Sequence, residues 1–155
     1  MSSTATRLAV AVGTGLGAGF SPFAPGTAGS AVGVALFIPL AALGLPALVS
    51  AIALLVPAGV WAAAVCGKRY GAHDHRRIVI DEIVGQLVAL AGLPARPPWL
   101  LAGFLLFRLF DIWKPFPARR IDRRWRTPFG VVADDLVAGV YANLALQAFR
   151  LFLGA

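Results

Sequence analysis

From Leu8 to Gly67 the chain carries no Asp, Glu, Lys, Arg or His. A soluble fold cannot easily hide so long a neutral stretch. A transmembrane helix needs about 20 mostly apolar residues, so this stretch can supply two. Charged residues make up 14% of the 155, against about 25% in soluble domains, and mean hydropathy is +0.78. The expectation is one integral membrane domain covering residues 1–155. The N-terminus does not read as a cleaved signal, because no polar mature region follows and the apolarity continues.

Breaks divide the chain into about six apolar segments. The first, residues 6–20, ends at Ser21-Pro22-Phe23-Ala24-Pro25-Gly26. The second runs from about Thr27 to Leu43 and the third from Pro46 to Cys66, with Pro57 as a possible kink. A polar loop, residues 67–77, leads into a shorter fourth segment, Ile78 to Leu93. The fifth, Trp99 to Trp113, feeds the basic loop 114–126, and the sixth runs from Phe129 to Phe149. No alternating strands and no hairpin turns occur, so the fold class is all-α and multihelical. Three to five of the segments are expected to span. Segments four and five are short for full crossings, and are tilted, partly re-entrant or packed behind other helices.

The net charge is +7. Nucleic acid is the usual partner of so basic a chain. Here the bases sit in short loops between apolar segments, so anionic phospholipid is expected instead and nucleic acid is not. The two basic loops lie on one side if segments four and five both cross or if neither does. The positive-inside rule places that side in the cytoplasm. A multi-pass protein of the cell inner membrane, with its polar end facing the cytoplasm, is expected.

The chain has seven acids, none of them in the long neutral stretch. Asp81-Glu82 open the fourth segment, Asp111 closes the fifth, and Asp134-Asp135 lie near the start of the sixth. Arg108, Asp111 and Lys114 are spaced by three, so they share a helix face just before Pro115 and Pro117 end it. Acids in apolar helices are costly and usually functional. Several carboxylates meeting at one membrane surface would repel unless a cation sits among them, and oxygen-rich sites suit Mg²⁺. The bland alternative is that the acids pair with the many arginines and complement helix dipoles. Small residues follow both acidic pairs: Gly85 and Ala89, then Ala138, Gly139 and Ala142. They permit close helix approach, for packing alone or for a shared metal site.

Pro25-Gly26-Thr27-Ala28-Gly29-Ser30 reads as a loop feeding a helix N-terminus, where free N–H groups bind phosphate. Helix packing through glycine is the equal alternative. His73 and His75 are expected to be solvated or to face headgroups. Cys66 is expected to be a small apolar residue at a helix end, and it excludes an internal disulfide.

Five stretches in order, PFAPGTAGS, DHRRIVIDEIVGQ, FRLFDIWKPFP, IDRR and GVVADDLVAG, together resemble the phosphatidylglycerophosphatase A family over most of the chain. The resemblance implies a multihelical fold and Mg²⁺-dependent removal of the terminal phosphate of phosphatidylglycerophosphate. It implies acidic catalytic positions at Asp81, Glu82, Asp111, Asp134 and Asp135, with Asp81, Glu82, Asp111 and Asp135 as metal ligands. It also implies phosphate-facing roles for Thr27, Ser30 and Lys114, beside which Arg108 supplies a second cation. Two departures stand beside these motifs: Ala118 replaces the usual Ile, and Thr127-Pro128-Phe129-Gly130 replaces a glycine-rich run. A small cation transporter or channel component is the alternative. A transporter would place its acids nearer the membrane midplane than the helix ends seen here.

Overall fold

Proline and glycine set the helix boundaries. Pro25, Pro46, Pro97 or Pro98, and Pro128 each sit in the first turn of a helix, where a missing N–H costs nothing. The computed structural model describes residues 3–72 and 74–154, so the expectation for His73 lies outside the described residues. Its helices are α1 (Ser3–Gly13), α2 (Pro25–Ala42), α3 (Leu45–Tyr70), α4 (Ile80–Leu90), α5 (Pro97–Trp113), α6 (Ala118–Arg124) and α7 (Pro128–Leu153). No strand occurs among the described residues.

Two differences from the sequence reading have local causes. The first apolar segment breaks at Gly13, because Gly15, Leu16 and Gly17 all take positive φ and lead into a short 3-10 turn, Ala18–Phe20. The basic loop contains a helix, α6, of only seven residues with no apolar stripe to announce it. The two departures from the family pattern have structural uses. Ala118 is fully buried at the start of α6. Thr127 caps α7, its hydroxyl accepting from the Gly130 N–H at 3.1 Å.

Among the described residues three helices, α2, α3 and α7, are long and apolar enough to cross a membrane. Their outer faces leave Leu36, Ile38, Leu54, Leu144 and Leu151 exposed, as lipid contact requires. Although shorter, α5 exposes the stripe Leu101, Leu105, Leu109 and Ile112. By contrast α4 is an interior helix. Only Glu82 and Val88 in it escape full burial, and it packs on α2, α3, α5 and α7.

At 11 residues α4 is about 16 Å long, roughly half the ~30 Å hydrocarbon thickness. Its last residue, Leu90, is fully buried, so the carbonyls around its end need donors. α7 supplies them. Asn143 Nδ2 donates to the Ala89 and Ala91 carbonyls at 3.1 and 2.8 Å, and Gln147 Nε2 donates to Ala91 at 3.1 Å. Arg150 donates to the Gly92 carbonyl at 2.8 Å. The chain then turns back through α5, so α4 and α5 form a hairpin that enters and leaves at one end. Of the three options for the short fourth segment, burial behind other helices is the one adopted.

Close approach of α4 and α7 depends on glycine. A Cβ on Gly85 would lie 2.7 Å from the Asp135 carbonyl oxygen and 2.6 Å from the Phe107 ring, and one on Gly139 would overlap the Gly85 carbonyl. The small residues after each acidic pair thus bring the two acidic helix starts side by side.

Candidate active site

Chain direction alternates so that five ends meet: the N-termini of α2, α4 and α7, and the C-termini of α3 and α5. There a cleft of about 270 Å³ is lined by Pro25, Gly26, Asp74, Arg76, Ile78, Asp81, Glu82, Arg108, Asp111, Lys114, Val131, Asp134 and Asp135 with Ala24. Both basic loops contribute to it, so they share one end of the molecule.

Asp81, Glu82 and Asp135 form the cleft floor. One carboxylate oxygen from each lies within 4.8 Å of the others. Asp81 and Asp135 are buried and Glu82 nearly so. At that separation two unit charges repel by about 3–4 kcal/mol at an effective dielectric constant of ~20. Burial, and then the neighbouring carboxylates Glu82 and Asp135, push the Asp81 carboxyl well above its usual range. Burial likewise raises Glu82, against the opposing pull of Asp81 and Arg108. Asp81 Oδ1 and Glu82 Oε2 are buried without a hydrogen-bond partner. Charge-dense oxygens, mutual repulsion and unfilled acceptors are what a hard divalent cation would satisfy. The donor set fits Mg²⁺.

The remaining predicted residues form the walls. Arg108 Nη1 pairs with Asp111 at 2.5 Å and reaches Glu82 at 4.0 Å. Asp111 therefore joins the cleft through Arg108, outside the three-carboxylate group, although its carboxyl also interacts with Asp135. Lys114 ends α5 with a left-handed backbone, φ 48°, a conformation that costs a non-glycine residue about 1–3 kcal/mol and clusters at functional sites. Its ammonium bonds Asp122 of α6 at 2.7 Å and also Asp134. Burial disfavours its charge, but the bonds to Asp122 and Asp134 prevail and raise its pKa. Lys114 is a fixed cation at the cleft rim.

Two predicted phosphate residues are placed differently. Ser30 is fully buried and its hydroxyl donates to the Gly26 carbonyl at 3.0 Å. This corrects the expectation that Ser30 faces phosphate: it lies one turn too deep and its donor is spent on the helix backbone. Thr27 does not line the cleft either. Their helix start does, through Pro25 and Gly26. Gly26 leaves Glu82 and Arg108 their present positions: a Cβ there would overlap Glu82 Oε1 and lie 3.2 Å from both Arg108 Nη atoms. Asp74, Arg76 and Asp122 were not singled out by sequence. The DHRR and IDRR stretches contain them, but no spacing rule ties a loop residue to a distant helix.

Cys66 is buried, its thiol 3.6 Å from the Ala9 carbonyl oxygen, as a small apolar residue at this place should be.

Residues 11–150 match the family described as phosphatidylglycerophosphatase A. A Haemophilus influenzae phosphatidylglycerophosphatase A is 39% identical over 90% of this chain and 86% of its own length. The Escherichia coli protein of the same name is 38% identical over 81% of this chain and 74% of its own. A Bacteroides thetaiotaomicron protein named putative phosphatidylinositol-3-phosphatase is 40% identical over 95% of this chain and 96% of its own. No solved structure matches.

Proposed function

Since this chain belongs to the phosphatidylglycerophosphatase A family and is a membrane phosphatase, we propose that the cleft hydrolyses the terminal phosphomonoester of phosphatidylglycerophosphate with Mg²⁺ and faces the cytoplasm. The products are phosphatidylglycerol and inorganic phosphate. The observation that carries this reading is the three-carboxylate floor facing Arg108 and Lys114 in one cleft. An isolated acidic cluster would suit ion passage, but a phosphoryl group needs cations on the far side as well. Family membership gives the transporter alternative no support.

Asp81, Glu82 and Asp135 would hold the metal. Bound there, Mg²⁺ supplies Lewis acidity toward the phosphoryl oxygens and toward a water. Arg108 and Lys114 neutralise phosphate charge from the walls. The α2 N-terminus brings backbone N–H groups and a positive dipole end to the same place. Asp111 and Asp134 hold the two cations in position by direct pairing. The cleft's place at the helix ends suits a substrate whose phosphate stands in water and whose chains stay in lipid.

The test is phosphate release from phosphatidylglycerophosphate in detergent, with EDTA and with Mg²⁺ restored. Phosphatidylinositol 3-phosphate serves as the competing substrate, because of the Bacteroides relative's name. Release from phosphatidylglycerophosphate that requires Mg²⁺ is expected. Full release after thorough chelation would remove the metal, and preference for the inositol lipid would reassign the substrate.

A further inference from the structure

A second concave site lies away from the carboxylate cleft. It is a groove of about 700 Å³ between α1, the turn after it and the end of α3. Arg7 and Arg69 stand on its walls, with Val10, Ala11, Leu16 and Phe20 as its apolar surface. It shares no lining residue with the cleft. The charge of the two is opposite. The cleft holds six carboxylates against three cations, whereas no acid lines the groove. Among the described residues neither groove arginine forms an ion pair.

The groove also lies at the level of the basic loops. α1 runs antiparallel to α3, Gly13 against Ala62 and Cys66, so the N-terminal turn of α1 sits beside Arg69 at the polar end. Arg77, in the loop that carries Asp74 and Arg76 to the cleft, lies over the rings of Phe20 and Tyr70 at 5.2 and 5.7 Å. An independent sign comes from Leu16. It is held at φ 54° and is 88% exposed at the lip of the groove. A branched apolar residue in the left-handed region is strained, and such strain clusters where function needs it. Here it projects a leucine outward beside two unpaired guanidinium groups.

We propose that this groove is an accessory site for an anionic phospholipid, its phosphodiester between Arg7 and Arg69 and an acyl chain along Val10, Ala11, Leu16 and Phe20. Guanidinium groups match phosphate geometry, and the apolar wall selects a lipid over a free anion. The site is separate from turnover, so its test needs none.

Lipid retention is measured by native mass spectrometry on full-length protein from detergent, titrated with dioleoyl phosphatidylglycerol, dioleoyl phosphatidylcholine or inorganic phosphate. Wild type is expected to retain one phosphatidylglycerol that the Arg7→Gln/Arg69→Gln variant loses. At roughly one kilocalorie per surface cation, the two substitutions weaken its apparent affinity by about 30-fold. Ala11→Trp, which fills the groove and keeps both arginines, should lose the same lipid. Both variants should keep phosphatase activity on a detergent-dispersed substrate. Equal phosphatidylglycerol retention by all three proteins would overturn the proposal. So would equal retention of phosphatidylcholine by wild type, or a groove satisfied by inorganic phosphate alone.

Discussion

Replacing Gly26 with Ala separates the site from the fold that carries it. The added Cβ would overlap Glu82 Oε1 and crowd both Arg108 Nη atoms at 3.2 Å. All three are tips of flexible side chains, so the backbone need not move. Glu82 must withdraw by about 1 Å to restore ordinary contact, and a 1 Å misplacement in an active site costs about 100-fold in rate, or ~2.7 kcal/mol of barrier. Stability should move the other way. Gly26 lies in the first turn of α2, and Ala is favoured over Gly within helices by up to about 1 kcal/mol. The expected variant is folded, melts no lower than wild type, needs more Mg²⁺ for half-maximal activity and turns over about 100-fold more slowly. Phosphate release across a Mg²⁺ titration, beside a detergent melting curve, reads both quantities. Wild-type turnover at wild-type Mg²⁺ demand would refute the placement of Glu82 in the site. A contrasting outcome is expected for Gly85→Ala, whose Cβ meets the Asp135 backbone and so should destabilise the fold itself.

Asp111→Asn removes the partner that Arg108 holds at 2.5 Å. Turnover should fall at least ~100-fold with normal expression and melting, whereas an ordinary exposed ion pair contributes only ~0–1 kcal/mol and would leave turnover near wild type. In EDTA, melting temperature should fall as pH rises above the ordinary carboxylate range. The raised Asp81 and Glu82 carboxyls hold protons in the fold that the unfolded chain has already released, so a rising pH favours unfolding. Mg²⁺ added at the upper pH should reverse the fall. A melting temperature that climbs with pH and ignores Mg²⁺ would refute the metal site. Single cysteines at Ala72 and Arg119 should both be labelled only from the cytoplasmic side, because the buried Cys66 gives little background. Labelling of both from outside intact cells would invert the orientation.

The membrane character was legible from the uncharged run Leu8–Gly67 alone, because a soluble core cannot easily hide it. So was most of the cleft. Acids are costly in apolar helices, so Asp81, Glu82, Asp111, Asp134 and Asp135 stood out, and the alternation of segment direction already placed them at one surface. The spacing of Arg108, Asp111 and Lys114 by threes gave Arg108 and Asp111 one face, since neighbours along a helix are set by its period, but the helix ends at Trp113 and Lys114 follows it with a left-handed backbone. What the chain order does not contain is distance between segments. Only the packed structure groups Asp81, Glu82 and Asp135 on the floor and leaves Asp111 on Arg108, because that choice depends on how closely Gly85 and Gly139 let α4 and α7 approach. Only the packed structure turns Ser30 inward to its own helix and brings Asp122 across from α6 to Lys114. The fate of the short fourth segment was likewise decided by tertiary contact. A helix of 11 residues can stop there because Asn143 stands on α7 beside the Ala89 and Ala91 carbonyls, with Gln147 and Arg150 at the turn that follows, and no local property of α4 records that those donors are there.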